Sequence, residues 1–179
     1  TPLTRLKLQL AMMDKKETVQ KMAEDIDEME KMLSNYLQYA KSQTEEKSIK
    51  ININKLISNV LKKYDPSKYN FVSSDMLEIR GRENLIKRCI LNVIENGLAY
   101  GNKIFIEIKK SINGAIITVE DNGPGIPKNE YSNVFRPFYR IDKSRGLNKS
   151  GVGLGLSVAQ DIVKSHGGNI SLSESRYKG

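Results

Sequence analysis

The chain has 179 residues, of which 39% are hydrophobic and 28% are charged, and its formal net charge is +8. This composition is typical of a globular protein and excludes a disordered tail, a collagen-like fibre and a low-complexity segment. No apolar run approaches the roughly 20 residues that a membrane-spanning helix needs, and the first residues lack the apolar stretch of a signal peptide. The sequence therefore predicts a cytoplasmic segment.

The single cysteine and the positive charge narrow the possible functions. Cys89 has no partner for an internal disulfide or a cysteine-rich metal site, and its apolar neighbours predict a buried thiol. A basic chain can bind nucleic acid, but here the lysines are interleaved with acidic residues and no arginine-rich block is present. We therefore expect no nucleic-acid partner. A basic surface also suits a phosphate ligand or an acidic protein partner.

Two amphipathic helical patterns occupy residues 1–42. Apolar residues at positions 3, 6, 10 and 13 have helical spacing, and a more regular series steps by three and four from Val19 to Ala40. The short polar break between them predicts an antiparallel helical hairpin. Because such a hairpin alone would expose a long apolar stripe to water, we expect two copies to form a four-helix bundle. The sequence thus predicts a homodimer.

The polar stretch 42–48 predicts a linker, and the patterns after it predict a second domain over residues 49–179. The fold class is α+β, with helices on one face of a mixed sheet in an α/β sandwich. The predicted helices are one capped by Asn54 and ending near Lys63, one from Glu83 to Tyr100, and one over 154–165. The predicted strands cover 49–53, 69–73, 76–80, 103–110, 114–121 and 169–174.

Two asparagines one turn apart are the first candidate site residues. The helix from Glu83 has a predicted buried arc formed by Leu85, Ile86, Cys89, Ile90, Val93, Ile94 and Gly97. Asn92 and Asn96 lie at the edge of this arc, where an amide needs polar partners. Either the two amides bond to neighbouring loops, or their oxygens hold a hydrated Mg²⁺ ion and phosphates.

The second candidate is Asp121, at the end of a strand and before a turn that contains Gly123 and Gly125. The alternation of the strand places this carboxylate on the inward face with Ile117 and Val119. It can accept a hydrogen bond from a purine amino group while the glycine backbone lies close to the ring. The alternative is an aspartate that only caps its turn.

A glycine-rich segment at 151–156 opens the last predicted helix and is the third candidate. Free N–H groups and the dipole at a helix start favour phosphates. The segment is neither a Rossmann fingerprint nor a Walker loop, since no Gly-Lys-Ser/Thr follows and no strand precedes it. The long loop 122–150 before it is expected to be functional. The only histidine, His166, is predicted to be a helix-end residue and not a nucleophile.

Four segments in one order resemble the N, G1, F and G2 boxes of sensor histidine kinases, which belong to the GHKL ATPase superfamily. They are residues 92–96, 121–125, 135–138 and 151–155. The resemblance covers about residues 49–175 and is closest to the osmosensor group of these kinases. It implies a Bergerat-type sandwich that binds ATP and Mg²⁺ and acts as a protein-histidine kinase of two-component signal transduction.

The resemblance also implies a role for each matching residue. Asn96 would be the magnesium ligand, Asn92 would contact phosphate or metal, and Asp121 would anchor adenine. The nucleotide would be bordered by Tyr100, Gly123, Gly125, Ile126, Gly151, Val152, Gly153, Leu154, Gly155 and Leu156. The lid would contain Phe135, Arg136, Phe138, Tyr139 and Arg140, with Lys143 and Arg145 as further cations unless these two belong only to a solvated loop.

A basic lid residue, Arg136 or Arg140, would stabilise charge on the transferring phosphoryl group. One position departs from the pattern: Ala99 stands where relatives often have Lys or Arg, so a phosphate contact is lost or comes from the lid.

The first residues, from Thr1 to Leu3, resemble the end of the family's His-Glu-x-x-Thr-Pro-Leu motif. The phosphoacceptor histidine would lie four residues before Thr1, and Thr1 would place water for dephosphorylation of a response regulator. The chain starts without Met, so we expect a piece of a longer protein whose other parts anchor it in the bacterial inner membrane. The resemblance implies a homodimer and a response-regulator receiver domain as partners.

Two other functions stay open at this point. One is a degenerate module that binds nucleotide or dimerises without transferring phosphate. The other is a different GHKL ATPase, against which the helical hairpin argues.

Overall fold

The computed structural model describes residues 19–20, 22–23, 26–27, 29–30, 46–73, 76–112, 114–141 and 153–177. The chain divides into two compact units, Thr1–Glu45 and Glu46–Gly179. Among the described residues, no helix is long and apolar enough to cross a membrane.

The first unit is described only at eight positions between residues 19 and 30, and all eight are helical. Of the predicted apolar seam, Ile26 is buried, whereas Met22 and Met29 are 47% and 48% exposed. The predicted helix over residues 3–13 and the ends of the second helix lie outside the described residues, and the bundle stays a prediction.

The second unit contains five strands and three α-helices within its described residues. They are β1 (Ile49–Asn52), α1 (Ile53–Leu61), β2 (Tyr69–Ser73), β3 (Glu78–Gly81), α2 (Glu83–Tyr100), β4 (Ile104–Ser111), β5 (Gly114–Asp121) and α3 (Gly155–Ser165). Short 3-10 turns cover Pro66–Lys68, Lys128–Glu130 and Asn133–Phe135. The α/β sandwich predicted from the sequence is therefore present.

The strands form two small sheets. One pairs β1 with β3 antiparallel, and the other has the order β2-β4-β5, with β2 parallel and β5 antiparallel to β4. The inner face of β4 carries Ile104, Ile106 and Ile108, each at most 2% exposed. Burying a side chain of this size contributes about 1.5–3 kcal/mol, so this row is a main support of the core.

The first helix begins two residues earlier than predicted. Its cap is Asn52, whose side-chain oxygen accepts from the backbone N–H of Lys55 at 2.9 Å. The predicted cap, Asn54, instead accepts from the backbone N–H of Leu77 at 2.8 Å and bonds to Ser73. Either asparagine suits a cap by residue type, and the contact of Asn54 with the segment before β3 decides between them. The helix also ends at Leu61, before Lys63.

The predicted strand over 169–174 is wrong. Residues 169–175 have no secondary structure and pair with no strand among the described residues. Side chains further along hold this segment to the sheet: Tyr177 stacks on Phe105 at 3.5 Å, and Arg176 bonds to Glu120 at 2.7 Å. A strand needs a hydrogen-bonded neighbour, and this segment has none among the described residues.

Candidate functional site

The helices α2 and α3 pack antiparallel and bring two of the candidate motifs together. The end of α3 meets the start of α2, where the N–H of Arg82 donates to His166 Nε2 at 3.1 Å. Midway, the Cys89 thiol lies 3.7 Å from the Ala159 carbonyl oxygen. At the other end, a Cβ atom placed on Gly155 would lie 3.8 Å from Asn92 Cβ. The start of α3 therefore lies beside the first candidate asparagine.

Asn92 and Asn96 are both half-buried on α2. Neither side-chain amide makes a hydrogen bond to any residue that the structure describes. One alternative was that these two amides form hydrogen bonds with neighbouring loops. No loop in the described part of the chain forms such a bond, so that alternative has no support there. Two amides one turn apart face the same part of the molecule and keep their oxygens available.

Asp121 ends β5 directly beside α2. A Cβ atom on Gly97 would lie 3.6 Å from Asp121 Cβ and 3.0 Å from Ile104 Cγ2, so the glycine permits this close approach. The Oδ1 atom of Asp121 accepts from the backbone N–H of Gly123 at 2.8 Å, which is the turn-capping contact considered from the sequence. Its second oxygen, Oδ2, has no hydrogen-bond partner among the described residues. One oxygen therefore fixes the carboxylate, and the other is free to bind a ligand.

The turn after Asp121 is held by Asn122. Its side-chain oxygen accepts from the backbone N–H groups of Asn102 and Lys103, at 2.8 and 2.9 Å. A Cβ atom on Gly123 would lie 2.8 Å from the Tyr100 carbonyl oxygen, so only glycine fits there. Asn122 is not among the site residues predicted from the sequence, although an asparagine before glycine is a known signal of such a turn.

The lid segment is joined to the glycine-rich segment by backbone contacts. The N–H of Phe138 donates to the Gly153 carbonyl oxygen at 3.0 Å, and Phe138 has a φ of 64°. Gly153 has a φ of 76°, and a Cβ atom there would lie 2.9 Å from the Tyr139 carbonyl oxygen. The Phe138 side chain is 61% exposed. The structure thus brings the predicted F and G2 boxes into direct contact.

A polar contact between the turn at residue 130 and the lid residue Tyr139 is also absent from the sequence predictions. Glu130 Oε2 accepts from the Tyr139 hydroxyl at 2.6 Å and from Asn133 Nδ2 at 3.0 Å. These hydrogen bonds lower the pKa of the Glu130 carboxyl, and the one from Tyr139 raises the pKa of that phenol. A glutamate nine residues from a tyrosine has no local sequence pattern that would reveal the pair.

The start of α3 is suited to an anion. Leu154 occupies the cap position without a side-chain hydrogen bond, and the first turn contains no acidic residue. The first N–H groups of a helix have no partner within it, so the first turn of α3 offers donors at Gly155 and Leu156, and Gly155 lies beside Asn92.

The other predicted site residues fall into two groups. Arg136 and Tyr100 are exposed, and Arg140 and Ile126 are half-buried. Gly125 has a φ of 76°, which suits the turn. Five predicted residues lie outside the described part of the chain: Thr1, Lys143, Arg145, Gly151 and Val152.

The predicted burial of Cys89 and the predicted helix-end position of His166 are confirmed. Cys89 is buried, and burial raises the pKa of its thiol to about 11, which makes it an unreactive core residue. His166 directly follows α3 and has both ring nitrogens in contact with backbone groups.

Residues 81–179 match the family model described as histidine kinase-, DNA gyrase B- and HSP90-like ATPase. This is more than half of the chain. The chain belongs to this ATPase family. The match begins at the strand before α2 and therefore includes all four of the boxes predicted from the sequence.

Curated relatives are sensor histidine kinases. The chain is 29% identical over its whole length to the sensor histidine kinase GtrS of Pseudomonas aeruginosa, covering 37% of that protein. It is 28% identical over its whole length to the sensor histidine kinase CpxA of Escherichia coli, covering 42% of it. The chain thus spans about two fifths of the length of these relatives. The predicted resemblance to kinases of two-component signalling is confirmed.

Solved structures support the fold. The catalytic domain of the histidine kinase ThkA superposes with a TM-score of 0.62 at 22% identity, covering 73% of this chain and 90% of that domain. At this level of identity the likeness concerns the fold of the ATPase unit.

Proposed function

We propose that this chain is the ATP-binding catalytic part of a protein-histidine kinase, with Mg²⁺ as its metal cofactor. One observation carries the proposal: the second half of α2 is the meeting point of three motifs. Gly97 admits Asp121 on one side, and Asn92 contacts the start of α3 on the other. A carboxylate, two amides and a helix start therefore surround one stretch of about two helical turns.

The chemistry of these donors fits a magnesium nucleotide. A purine amino group is a donor and matches the free Oδ2 of Asp121, while phosphates match the uncapped start of α3. Magnesium prefers oxygen ligands and keeps several waters, so the two amide oxygens suit it. Among the described residues, no group of three or more His, Cys, Asp or Glu side chains is arranged to hold a metal ion.

Each residue then has a defined task. Asp121 orients the base, and Gly123 and Gly125 keep the backbone near its ring. Asn96 is the metal ligand, and Asn92 holds phosphate or metal beside Gly155. Arg136 and Arg140 supply positive charge near the phosphates, where catalysis depends on positioning and electrostatics. Bound ATP would supply the phosphoryl group.

The remaining functions belong to the longer protein. We propose that residues 1–42 form half of a four-helix dimerisation bundle, that the phosphoacceptor histidine precedes Thr1, and that an aspartate of a response regulator receives the phosphate. Thr1 would assist the reverse dephosphorylation. Membrane anchorage would come from other parts of that protein.

Calorimetric titration with ATP, with and without Mg²⁺, tests the proposal. Asp121→Asn replaces an acceptor with an amide and is expected to lower affinity by about tenfold or more, since a hydrogen bond to a charged group contributes about 1.5–3 kcal/mol. Asn96→Ala is expected to remove most of the gain from Mg²⁺.

Matched controls come from the same unit. Asp65 accepts from the N–H of Ser67 two residues on, as Asp121 does from Gly123, so Asp65→Asn controls for the loss of charge at a turn-capping carboxylate. Asn59 is exposed on α1, so Asn59→Ala controls for the asparagine change. If the parent chain binds no nucleotide, the kinase proposal fails and a degenerate dimerisation module becomes the better explanation.

A further inference from the structure

The link between α3 and the start of α2 depends on one neutral imidazole. Nδ1 of His166 lies 2.7 Å from the Ile162 carbonyl oxygen, and Nε2 lies 3.1 Å from the backbone nitrogen of Arg82. A carbonyl oxygen only accepts, so Nδ1 must carry the hydrogen. A backbone N–H only donates, so Nε2 must present its lone pair. Only the neutral tautomer with hydrogen on Nδ1 satisfies both contacts.

The surroundings hold the ring in place. A Cβ atom on Gly81 would lie 3.0 Å from His166 Cδ2, so the ring fits against the end of β3. The Arg82 guanidinium donates to the Ser165 hydroxyl at 2.7 Å and to its carbonyl oxygen at 3.3 Å. The end of α3 is therefore attached to the residue before α2 through both the backbone and the side chain of Arg82.

This joint determines where α3 lies along α2. Between its ends, α3 packs through buried Val158, Ala159 and Ile162, and apolar contacts have little directional preference. The nitrogen and oxygen hydrogen bonds between the two helices are at the Arg82 end, the weaker thiol contact of Cys89 with the Ala159 carbonyl oxygen lies midway, and the opposite end places Gly155 beside Asn92. A shift of α3 permitted by loss of the joint would move its uncapped first turn relative to Asn92.

We infer that His166 is a positioning residue of the nucleotide site: its neutral form accepts from the Arg82 N–H and helps to hold α3 against α2, and protonation removes that bond while leaving the bonds of the Arg82 guanidinium to Ser165. This inference rests on the proposed function. A proton on Nε2 would face the N–H of Arg82, so two donors would oppose each other.

The charged groups around the ring do not offset this change. Arg82, at the start of α2, and Lys164, in the last turn of α3, are both cations. Arg80 of β3 and Glu83 of α2 are exposed, and the half-buried carboxylate of Glu46 accepts from the backbone N–H of Asn84 at 2.7 Å. No carboxylate among the described residues bonds to the imidazole.

The first test reads the tautomer directly. The chain has one histidine, so nitrogen-15 histidine labelling gives a single imidazole signal in the NMR spectrum of the whole chain. At pH 8 we expect the pattern of hydrogen on Nδ1, which is the less common form of free histidine. Hydrogen on Nε2 would overturn the inference whether or not the protein binds nucleotide.

The second test compares nucleotide affinity at pH 8 and pH 5.5 in the parent chain, His166→Gln and Lys164→Gln. Glutamine can accept from Arg82 without titrating, and Lys164→Gln changes an exposed charge on the same helical turn. Acid also protonates the nucleotide itself, but this affects all three proteins equally and cancels in the comparison. We expect acid to weaken the parent and Lys164→Gln by about three- to tenfold more than His166→Gln, as loss of one hydrogen bond implies. His166→Asn, which also does not titrate, replaces His166→Gln if that variant does not fold.

The outcomes separate this inference from the proposed function. Equal acid dependence in the parent and the histidine variant overturns the positioning role while leaving the kinase proposal intact. Absence of binding at both pH values overturns the kinase proposal and the positioning role with it, and the tautomer then still reports whether the joint exists.

Discussion

One short hydrogen bond, from Tyr139 to Glu130, joins the lid to the 3-10 turn that precedes it. The tyrosine hydroxyl and the Asn133 amide both donate to the Glu130 carboxylate and lower its pKa. These bonds favour the ionised form, so their contribution to stability is full above the pKa of the carboxyl in the unfolded chain. It is lost as the pH falls through the lower pKa of the folded state. The lid is therefore expected to loosen on acidification.

Tyr139→Phe tests this contact. Removing the hydroxyl takes away the largest cause of the shift, so the pKa of Glu130 should rise toward its ordinary value. Carbon-13 NMR of the glutamate carboxyls, followed against pH, measures the change. Tyr131→Phe is the matched control, because the Tyr131 hydroxyl makes no hydrogen bond to a described residue. An unchanged Glu130 titration in Tyr139→Phe would contradict the contact.

At the scale of elements, two glycines of the site differ in what they permit. Gly123 lies in the turn after β5, where an added Cβ atom would come within 2.8 Å of the Tyr100 carbonyl oxygen and of Asp121 Oδ1. Gly155 begins α3, where the nearest atom to an added Cβ is 3.8 Å away. The first glycine is needed for the approach of β5 to the end of α2, whereas the second leaves room for a methyl group.

Alanine at these two positions should have opposite effects on stability. Gly123→Ala forces the turn away from the end of α2 and should cost about 1–3 kcal/mol, as overpacking does. Gly155→Ala should be neutral or stabilise by up to about 1 kcal/mol, because alanine favours a helix. Urea denaturation of both variants measures the difference. An unchanged stability of Gly123→Ala would show that the close approach at Gly123 is not required.

The same scale shows which elements the sequence could predict. α2 was predicted with both bounds, because its apolar spacing is unambiguous over 18 residues and Gly101 follows it. β4 and β5 followed from their alternation. The cap of α1 could not be predicted, since Asn52 and Asn54 are chemically equal and only the contact of Asn54 with Leu77 separates them.

At the scale of the whole molecule, the site motifs were predictable and their connections were not. The positions of Asn92, Asp121 and the glycine-rich segment follow from residue type and spacing. The bond from Phe138 to Gly153 depends on a positive φ at a phenylalanine, a conformation that L-residues seldom adopt. The failed strand prediction has a related cause, because strand pairing depends on a neighbour that local alternation cannot reveal.

The apolar seam of the first unit bears on whether two chains form a dimer. On the helix described between residues 19 and 30, Met22 and Met29 are about half exposed and lie on the seam predicted for the bundle. Two copies packed along this seam would remove both side chains from water, which is the driving force expected for a dimer. A charge at Met22 would then be buried without a partner.

Met22→Glu should therefore shift the chain from dimer to monomer, with a dissociation constant raised by about tenfold or more, since an unpaired buried charge costs several kcal/mol. Gln20→Glu adds the same charge at an exposed position of the same helix and should leave the dimer unchanged. Sedimentation equilibrium over a range of concentrations distinguishes the two. A parent chain that stays monomeric throughout would contradict the homodimer, whereas dimers of equal strength in both variants would place the dimer contact away from this seam.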